Sequence, residues 1–181
     1  MTDARPPIVS DFAYCPRCAG PLKRRIVKAG EPKRLQCGAC GFIFYENPKV
    51  AAGTICRIDG RVVLLKRGIE PGYGKWVFPG GFIDRGEAVE AGAVRETKEE
   101  VNLDVRIERL LNVYSVADHP IVVIVYTAEV LGGELKACDE ALDVGLFSPD
   151  EIPWDALAFP STQSALGHYI ERIASRSEQT P

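Results

Sequence analysis

Gly81-Phe82-Ile83-Asp84-Arg85-Gly86-Glu87, then a run of small residues, then Arg95-Glu96-Thr97-Lys98-Glu99-Glu100-Val101-Asn102-Leu103, is the stretch that decides how this chain reads. It follows a Pro79-Gly80-Gly81 turn. At about 100° of rotation per residue, Glu96, Glu99 and Glu100 leave one side of a helix within an arc of roughly 100°. Like charges at these spacings destabilise an isolated helix, so the pattern predicts a cation that holds the three carboxylates together. All-oxygen ligation suits magnesium or manganese, which keep some waters and take their remaining ligands from substrate phosphates. Val94 and Val101 point away from the acidic arc, toward a core. Glu87 suits the positive end of the helix dipole and lies close in angle to Arg95, two turns later, which predicts an ion pair fixing the helix against its preceding loop.

Runs of charge are usually solvated surface, but this spacing is more particular than that. It runs glycine, five residues, Glu, seven residues, Arg-Glu, an aliphatic, any residue, Glu-Glu, any residue, glycine, an aliphatic. Gly81, Glu87, Arg95, Glu96, Glu99, Glu100 and Leu103 all fall on it, and the chain thereby resembles a Nudix hydrolase. Two positions depart from the pattern. Thr97 replaces an aliphatic, and its methyl group can still pack. Asn102 replaces the helix-ending glycine, and Asn is the residue that best takes over the left-handed C-cap conformation. Neither departure removes a carboxylate.

Composition fits one ordinary domain plus a small appendage: 181 residues, 46% hydrophobic and 26% charged. No apolar run reaches the ~18 residues of a membrane span, and the first ten residues lack the apolar core of a secretory signal. The cytoplasm is the expected location. The net charge of −3 is unevenly spread, because seven bases (Arg17, Lys23, Arg24, Arg25, Lys28, Lys33, Arg34) stand against Glu31 between Cys15 and Cys40. A basic module on an acidic body suits an anionic partner, although a solvated hairpin would look the same.

Four of the six cysteines form two C-x2-C pairs, Cys15/Cys18 and Cys37/Cys40, separated by 18 residues. That spacing predicts four thiolates closing a tetrahedron around structural zinc, with no open position for a substrate. Cys56 and Cys138 have no partner at ligand spacing and read as small buried hydrophobes.

Along the chain, residues 1–13 read as loosely ordered and 14–44 as a zinc ribbon. The ribbon has strands at Lys23–Lys28 and Lys33–Gln36 around an Ala29-Gly30-Glu31-Pro32 turn, and Asn47-Pro48 marks the boundary that follows. Val50–Arg57 and Val62–Lys66 form a hairpin across Asp59-Gly60. Strands follow the helix at Val105–Ser115, Ile121–Leu131 (ended by Gly132-Gly133) and Val144–Phe147, and an amphipathic helix at Ser161–Arg176 carries Leu166, Tyr169, Ile170 and Ile173 on one stripe. Residues 177–181 should be frayed. This order fits an α/β sandwich, a mixed sheet between helices. The resemblance implies the same α/β/α Nudix fold over residues 50–176.

Chemistry follows from the carboxylates: a divalent cation on Glu96, Glu99 and Glu100 activates water against a phosphoanhydride. The general base is either a helix glutamate or, as the resemblance suggests, a late-loop acid. Glu140 is the best placed of these, with Asp139 and Asp143 beside it. Lys66 and Arg67, at a strand end before a glycine-rich loop, and the turn glycines Gly80 and Gly81 are candidate substrate contacts. Tyr73, Trp76, Tyr114 and Phe44 are candidate base-stacking rings, while His119 and His168 read as surface or structural.

Two zinc-ribbon Nudix groups compete for the substrate. The NADH pyrophosphatase and NAD-decapping group carries a Ser-Gln-Pro-Trp-Pro-Phe-Pro array after the helix, which Val113–Pro120 does not match. Tyr45-Glu46-Asn47-Pro48-Lys49 and Glu151-Ile152-Pro153-Trp154-Asp155-Ala156-Leu157-Ala158-Phe159 resemble FAD and ADP-ribose pyrophosphatases of the plant chloroplast type and their bacterial relatives. The resemblance implies a nucleoside diphosphate derivative, FAD or ADP-ribose, as substrate. Two other roles stay open: a regulator that binds nucleic acid or protein through the ribbon, and a homodimer covering Phe42-Ile43-Phe44-Tyr45.

Overall fold

The computed structural model describes residues 12–138 and 140–177 and divides the chain into two units, one running to Pro48 with Ala117–Pro120, the other comprising Lys49–Val116 and the chain from Ile121 onward. Expectations for residues 1–11, for Asp139 and for 178–181 lie outside the described residues. Phe12 and Ala13 are tied in: the Phe12 ring packs 4.6 Å from that of Phe44, and Leu22 N–H donates to the Ala13 carbonyl at 2.9 Å.

The first unit is a three-stranded antiparallel sheet, β1 (Leu22–Arg25), β2 (Arg34–Cys37) and β3 (Ile43–Phe44), in that order. Its core holds Cys15, Leu22, Leu35 and Cys37, with Phe42 and Phe44 packed against them. β1 ends three residues earlier than the sequence suggests, and Ile26 and Val27 stand exposed in the loop beyond it. β3 was unread because two residues carry no periodicity. Phe42 and Phe44 turn into the ribbon's own core, which reduces the apolar surface expected to be offered to a second copy.

In the second unit, β4 (Lys49–Ile58) and β5 (Arg61–Arg67) meet at Asp59-Gly60, where φ is +50° and +78°. Positive φ at both central residues is what a tight hairpin turn with the strands' own twist requires. The strands pair only near that turn, at Arg57–Val62 and Ile58–Arg61, and then part. Into the fork goes the stretch leading to the acidic helix. β6 (Trp76–Val77) pairs with β5, and β7 (Gly80–Phe82) pairs with β4. There follow α1 (Val89–Val101), β8 (Leu103–Tyr114), β9 (Ile121–Gly133), β10 (Ala141–Phe147), two 3₁₀ turns at Pro149–Glu151 and Trp154–Ala156, and α2 (Pro160–Ser177). β9 runs through Gly132 to Gly133, which pairs with Leu103, so the two glycines end the strand without breaking it earlier.

The sheet is mixed: β4 and β9 are parallel, the other pairs antiparallel, in the order β10-β5-β4-β9-β8. Strand alternation sorts its two cores. Ile55, Val62, Leu64 and Val125 pack with Leu166 and Tyr169 of α2, whereas Cys56, Val63 and Leu65 pack with Val101 of α1, and Ala52 packs with Ala93. The result is an α/β/α sandwich. Val94 also packs against the α1-side core.

Candidate active site

Arg95 organises the acidic helix. Its Nε and Nη2 donate to the two carboxylate oxygens of Glu87 at 2.8 and 3.0 Å, and its Nη1 donates to Glu96 at 2.8 Å and to Glu99 at 2.9 Å. Nη2 also reaches the Phe82 carbonyl at 3.2 Å, which ties the guanidinium to β7. Glu87 lies in the loop just before α1, and its second oxygen also accepts Asp84 N–H. These charge-assisted bonds, the Arg95 bond foremost, pull the Glu87 carboxyl down to about 2. The three carboxylates expected to share a cation, Glu96, Glu99 and Glu100, all stand on α1. Arg95 bridges two of them, and among the described residues the only donor set drawn within 4.8 Å is that of the four cysteines.

Glu100 faces inward and is only 6% exposed. One of its oxygens accepts Gly80 N–H at 2.7 Å, and burial, with the charges of Glu96 and Glu140 adding to it, pushes its carboxyl up to about 8. Glu96 is also raised, first by burial and further by Glu99 and Glu140. Glu140 is thus near both, although 40 residues beyond Glu100 in sequence. The connection is made by backbone: Cys138 N–H donates to the Glu100 carbonyl at 3.1 Å, and Gly68 N–H to the Glu140 carbonyl at 2.7 Å. Asp143, at the β10 end, accepts Val144 N–H.

The turn glycines act through close approach. A Cβ on Gly81 would stand 2.6 Å from the Glu96 carboxylate, and one on Gly80 would stand 2.6 Å from the Ala52 carbonyl. Gly92 plays the same part inside α1, where a Cβ would run into the Ile83 side chain, so the helix can lie against the preceding loop. Beneath the helix, the Thr97 hydroxyl is fully buried, donates to the Ala93 carbonyl at 2.8 Å and pairs with Thr54 at 2.7 Å. The departure from an aliphatic is matched by a partner across the packing surface. Asn102 ends α1 at φ +57° and donates its side-chain amide to the Glu134 carbonyl.

Lys66 and Arg67 leave opposite faces of β5. Consecutive strand residues face opposite ways, so Lys66 lies over Trp76 on the α2 side and Arg67 on the α1 side. Arg67 stacks on Phe159 at 5.2 Å, donates to the Pro71 carbonyl and is close enough to favour Glu100 ionisation. Trp76 packs edge-on to Phe147, Tyr114 stacks on His168 with a 3.0 Å hydrogen bond, and Tyr73 is exposed. Cys56 is fully buried as expected, whereas Cys138 is only partly buried. The structure also brings together Phe82 and Lys49, which the sequence does not pair. Phe82 follows Gly81, so its half-exposed ring turns away from Glu96, with the Lys49 ammonium 5.0 Å over it. Only the β4–β7 register brings them together.

In the ribbon, Cys15 and Cys40 sulfurs are 3.8 Å apart, and those of Cys18 and Cys37 are 3.5 Å apart. A tetrahedral ion with bonds of about 2.3 Å needs sulfurs roughly 3.8 Å apart, so the set fits a Cys₄ metal site. Arg17 and Ala39 amides point at Cys15 and Cys37 sulfurs, and the Cys40 and Ala39 amides help hold the Cys37 thiol down at about 6.

Comparison with known proteins agrees with this geometry. The NUDIX domain model matches residues 47–166, and the Nudix N-terminal model, a zinc ribbon, matches 13–46. An ADP-ribose pyrophosphatase of Methanocaldococcus jannaschii is 36% identical over 72% of this chain and 75% of its own. The NAD-capped RNA hydrolase NudC of Stutzerimonas stutzeri is 29% identical over 93% of this chain and 58% of its own. The crystal structure of a NUDIX hydrolase from Nitrosomonas europaea superposes with a TM-score of 0.86 at 36% identity, covering 94% of this chain and 95% of that one.

Proposed function

Because the chain belongs to the Nudix hydrolase family, we propose that it splits the phosphoanhydride of a nucleoside diphosphate derivative, with ADP-ribose or FAD as substrate. The observation that carries this reading is the set of four carboxylates, Glu96 and Glu99 bridged by Arg95, Glu100 buried beside Gly80 N–H, and Glu140 near enough to raise both Glu96 and Glu100 together with burial. Such a set is suited to a hard divalent cation. Magnesium or manganese held by Glu96, Glu99 and Glu100 would neutralise diphosphate charge and lower the pKa of a bound water. Arg95 fixes the outer carboxylates, and Gly80 N–H orients Glu100. Glu140, on the loop tied to the end of α1, takes the proton from water as general base. Arg67, held against Phe159, contacts the diphosphate. Zinc on the four cysteines holds the ribbon together and takes no part in the reaction.

The archaeal relative's name supports ADP-ribose, as does the Glu151–Phe159 segment, which places Phe159 under Arg67. A second reading, an NAD- or NADH-type dinucleotide, is supported by NudC relatives that match across ribbon and catalytic unit alike. The test is a panel of FAD, ADP-ribose, NADH, NAD and a nucleoside triphosphate offered with magnesium, followed by product analysis. Preferential turnover of ADP-ribose or FAD with AMP released supports the first reading, and preference for NADH or NAD supports the second. Turnover of none by folded, metal-loaded protein would sink both.

A further inference from the structure

The ribbon's sheet has two unlike faces. Residues paired directly across strands share a face, so Leu22, Arg24, Leu35, Cys37 and Phe44 form one, and Lys23, Arg25, Arg34, Gln36 and Ile43 form the other. The first is the cysteine core, and its one base at the rim, Arg24, is neutralised by a two-bond pairing with Glu46 at 2.9 Å. On the second face, among the described residues, no carboxylate lies within 4 Å of Lys23, Arg25 or Arg34. Lys23 and Arg25 are exposed. Arg34 places its guanidinium 5.4 Å from the ring centre of Tyr45, which is 56% exposed, and its Nε is shielded from solvent with no hydrogen-bond partner among the described residues.

From this we propose that the Lys23–Arg25–Arg34–Tyr45 face binds single-stranded nucleic acid, a function separate from pyrophosphate hydrolysis. Three cations that have no carboxylate partner among the described residues, set on one face of the sheet, match a phosphate backbone. The tyrosine ring supplies what a plain anion does not need, a flat surface on which a base can stack, with the guanidinium beside it adding its own planar contact. A duplex hides the faces of its bases, so the ring favours a single strand. An anionic membrane would be met by the same charges, and the exposed Ile26 and Val27 at the β1–β2 loop make it the competing partner to be tested.

The experiment uses the full zinc-loaded chain and a 5′-fluorescein RNA of about 12 nucleotides, followed by anisotropy from 50 to 200 mM salt. The expected result is saturable binding whose logarithm falls with the logarithm of salt at a slope of about −2, as three phosphates at about 0.7 each predict for a single strand. The double variant Lys23→Gln/Arg25→Gln should weaken binding on the order of tenfold and flatten the slope. Tyr45→Ala should weaken it by a similar factor, and Tyr45→Phe should restore it, because stacking needs the ring and not the hydroxyl. Zinc content and nucleotide hydrolysis should be unchanged in all three, which separates loss of the face from loss of the fold. No saturable RNA binding, binding indifferent to these substitutions, or binding to phosphatidylserine vesicles with none to RNA would overturn the proposal.

Discussion

Glu100 is a carboxyl held where its charge is expensive, at about 8, while Glu87 sits at about 2 beside Arg95. Their effects on stability run in opposite directions. Without metal, the folded chain keeps a proton on Glu100 that the unfolded chain has released, so stability falls as pH rises from the ordinary carboxyl range through about 8. Glu87 contributes above that ordinary range, and its share is lost as pH falls toward 2. Glu100→Gln should flatten the alkaline limb of melting temperature against pH in chelator, and should cut turnover on the order of 100-fold or more with the fold kept. Melts at pH 5 and 9 with parallel rate measurements check both, and an unchanged alkaline limb would remove Glu100 as its source. Gly81→Ala places a methyl against the Glu96 carboxylate, which must then shift. Turnover should drop at least about tenfold with melting little changed, because about 1 Å of misplacement is felt in the rate long before it is felt in packing.

The local elements are those whose form the sequence disclosed. Two left-handed residues at Asp59-Gly60 make a hairpin wherever they stand between strand-forming runs, and Asn102 ends a helix for reasons contained in its own side chain. Gly60→Ala, at φ +78°, and Asn102→Ala, at φ +57°, should each cost about 1 kcal/mol by denaturant titration, since a Cβ is strained there or a short polar side chain is lost. β6 and β7 were not legible, because two or three residues carry no period and their pairing is chosen by strands far away in the chain. Phe82 and Lys49 went unnoticed for the same reason. Lys66 and Arg67 are a different case: strand alternation alone places them on opposite faces of β5. Glu140 could be named from resemblance, but its approach to Glu100 depends on two backbone bonds that leave no trace in composition.

At the scale of the molecule the two units differ in what holds them. Among the described residues the ribbon's buried core is four side chains, two of them cysteines, too little apolar surface to be stable without a metal, while the catalytic unit has cores on both faces of its sheet. Chelation strong enough to strip the cysteines should abolish amide-exchange protection across 22–44 and leave that of β4, β5 and β9 in place, read by mass spectrometry. Uniform loss of protection would show one cooperative unit. The forked hairpin bears on the order in which the chain finds this state. The β4–β5 turn joins neighbours in sequence, and loop closure there costs little entropy; the wedge of β6 and β7 and the parallel β4–β9 pairing close loops many times longer. The strands that cradle the carboxylates should therefore be among the last to dock. On a chevron plot, Gly80→Ala should raise the unfolding rate with the folding rate nearly unmoved, and Gly60→Ala should slow folding. A catalytic centre assembled late is one that a partly folded chain does not yet possess, so the activity regained during refolding should lag behind the return of secondary structure.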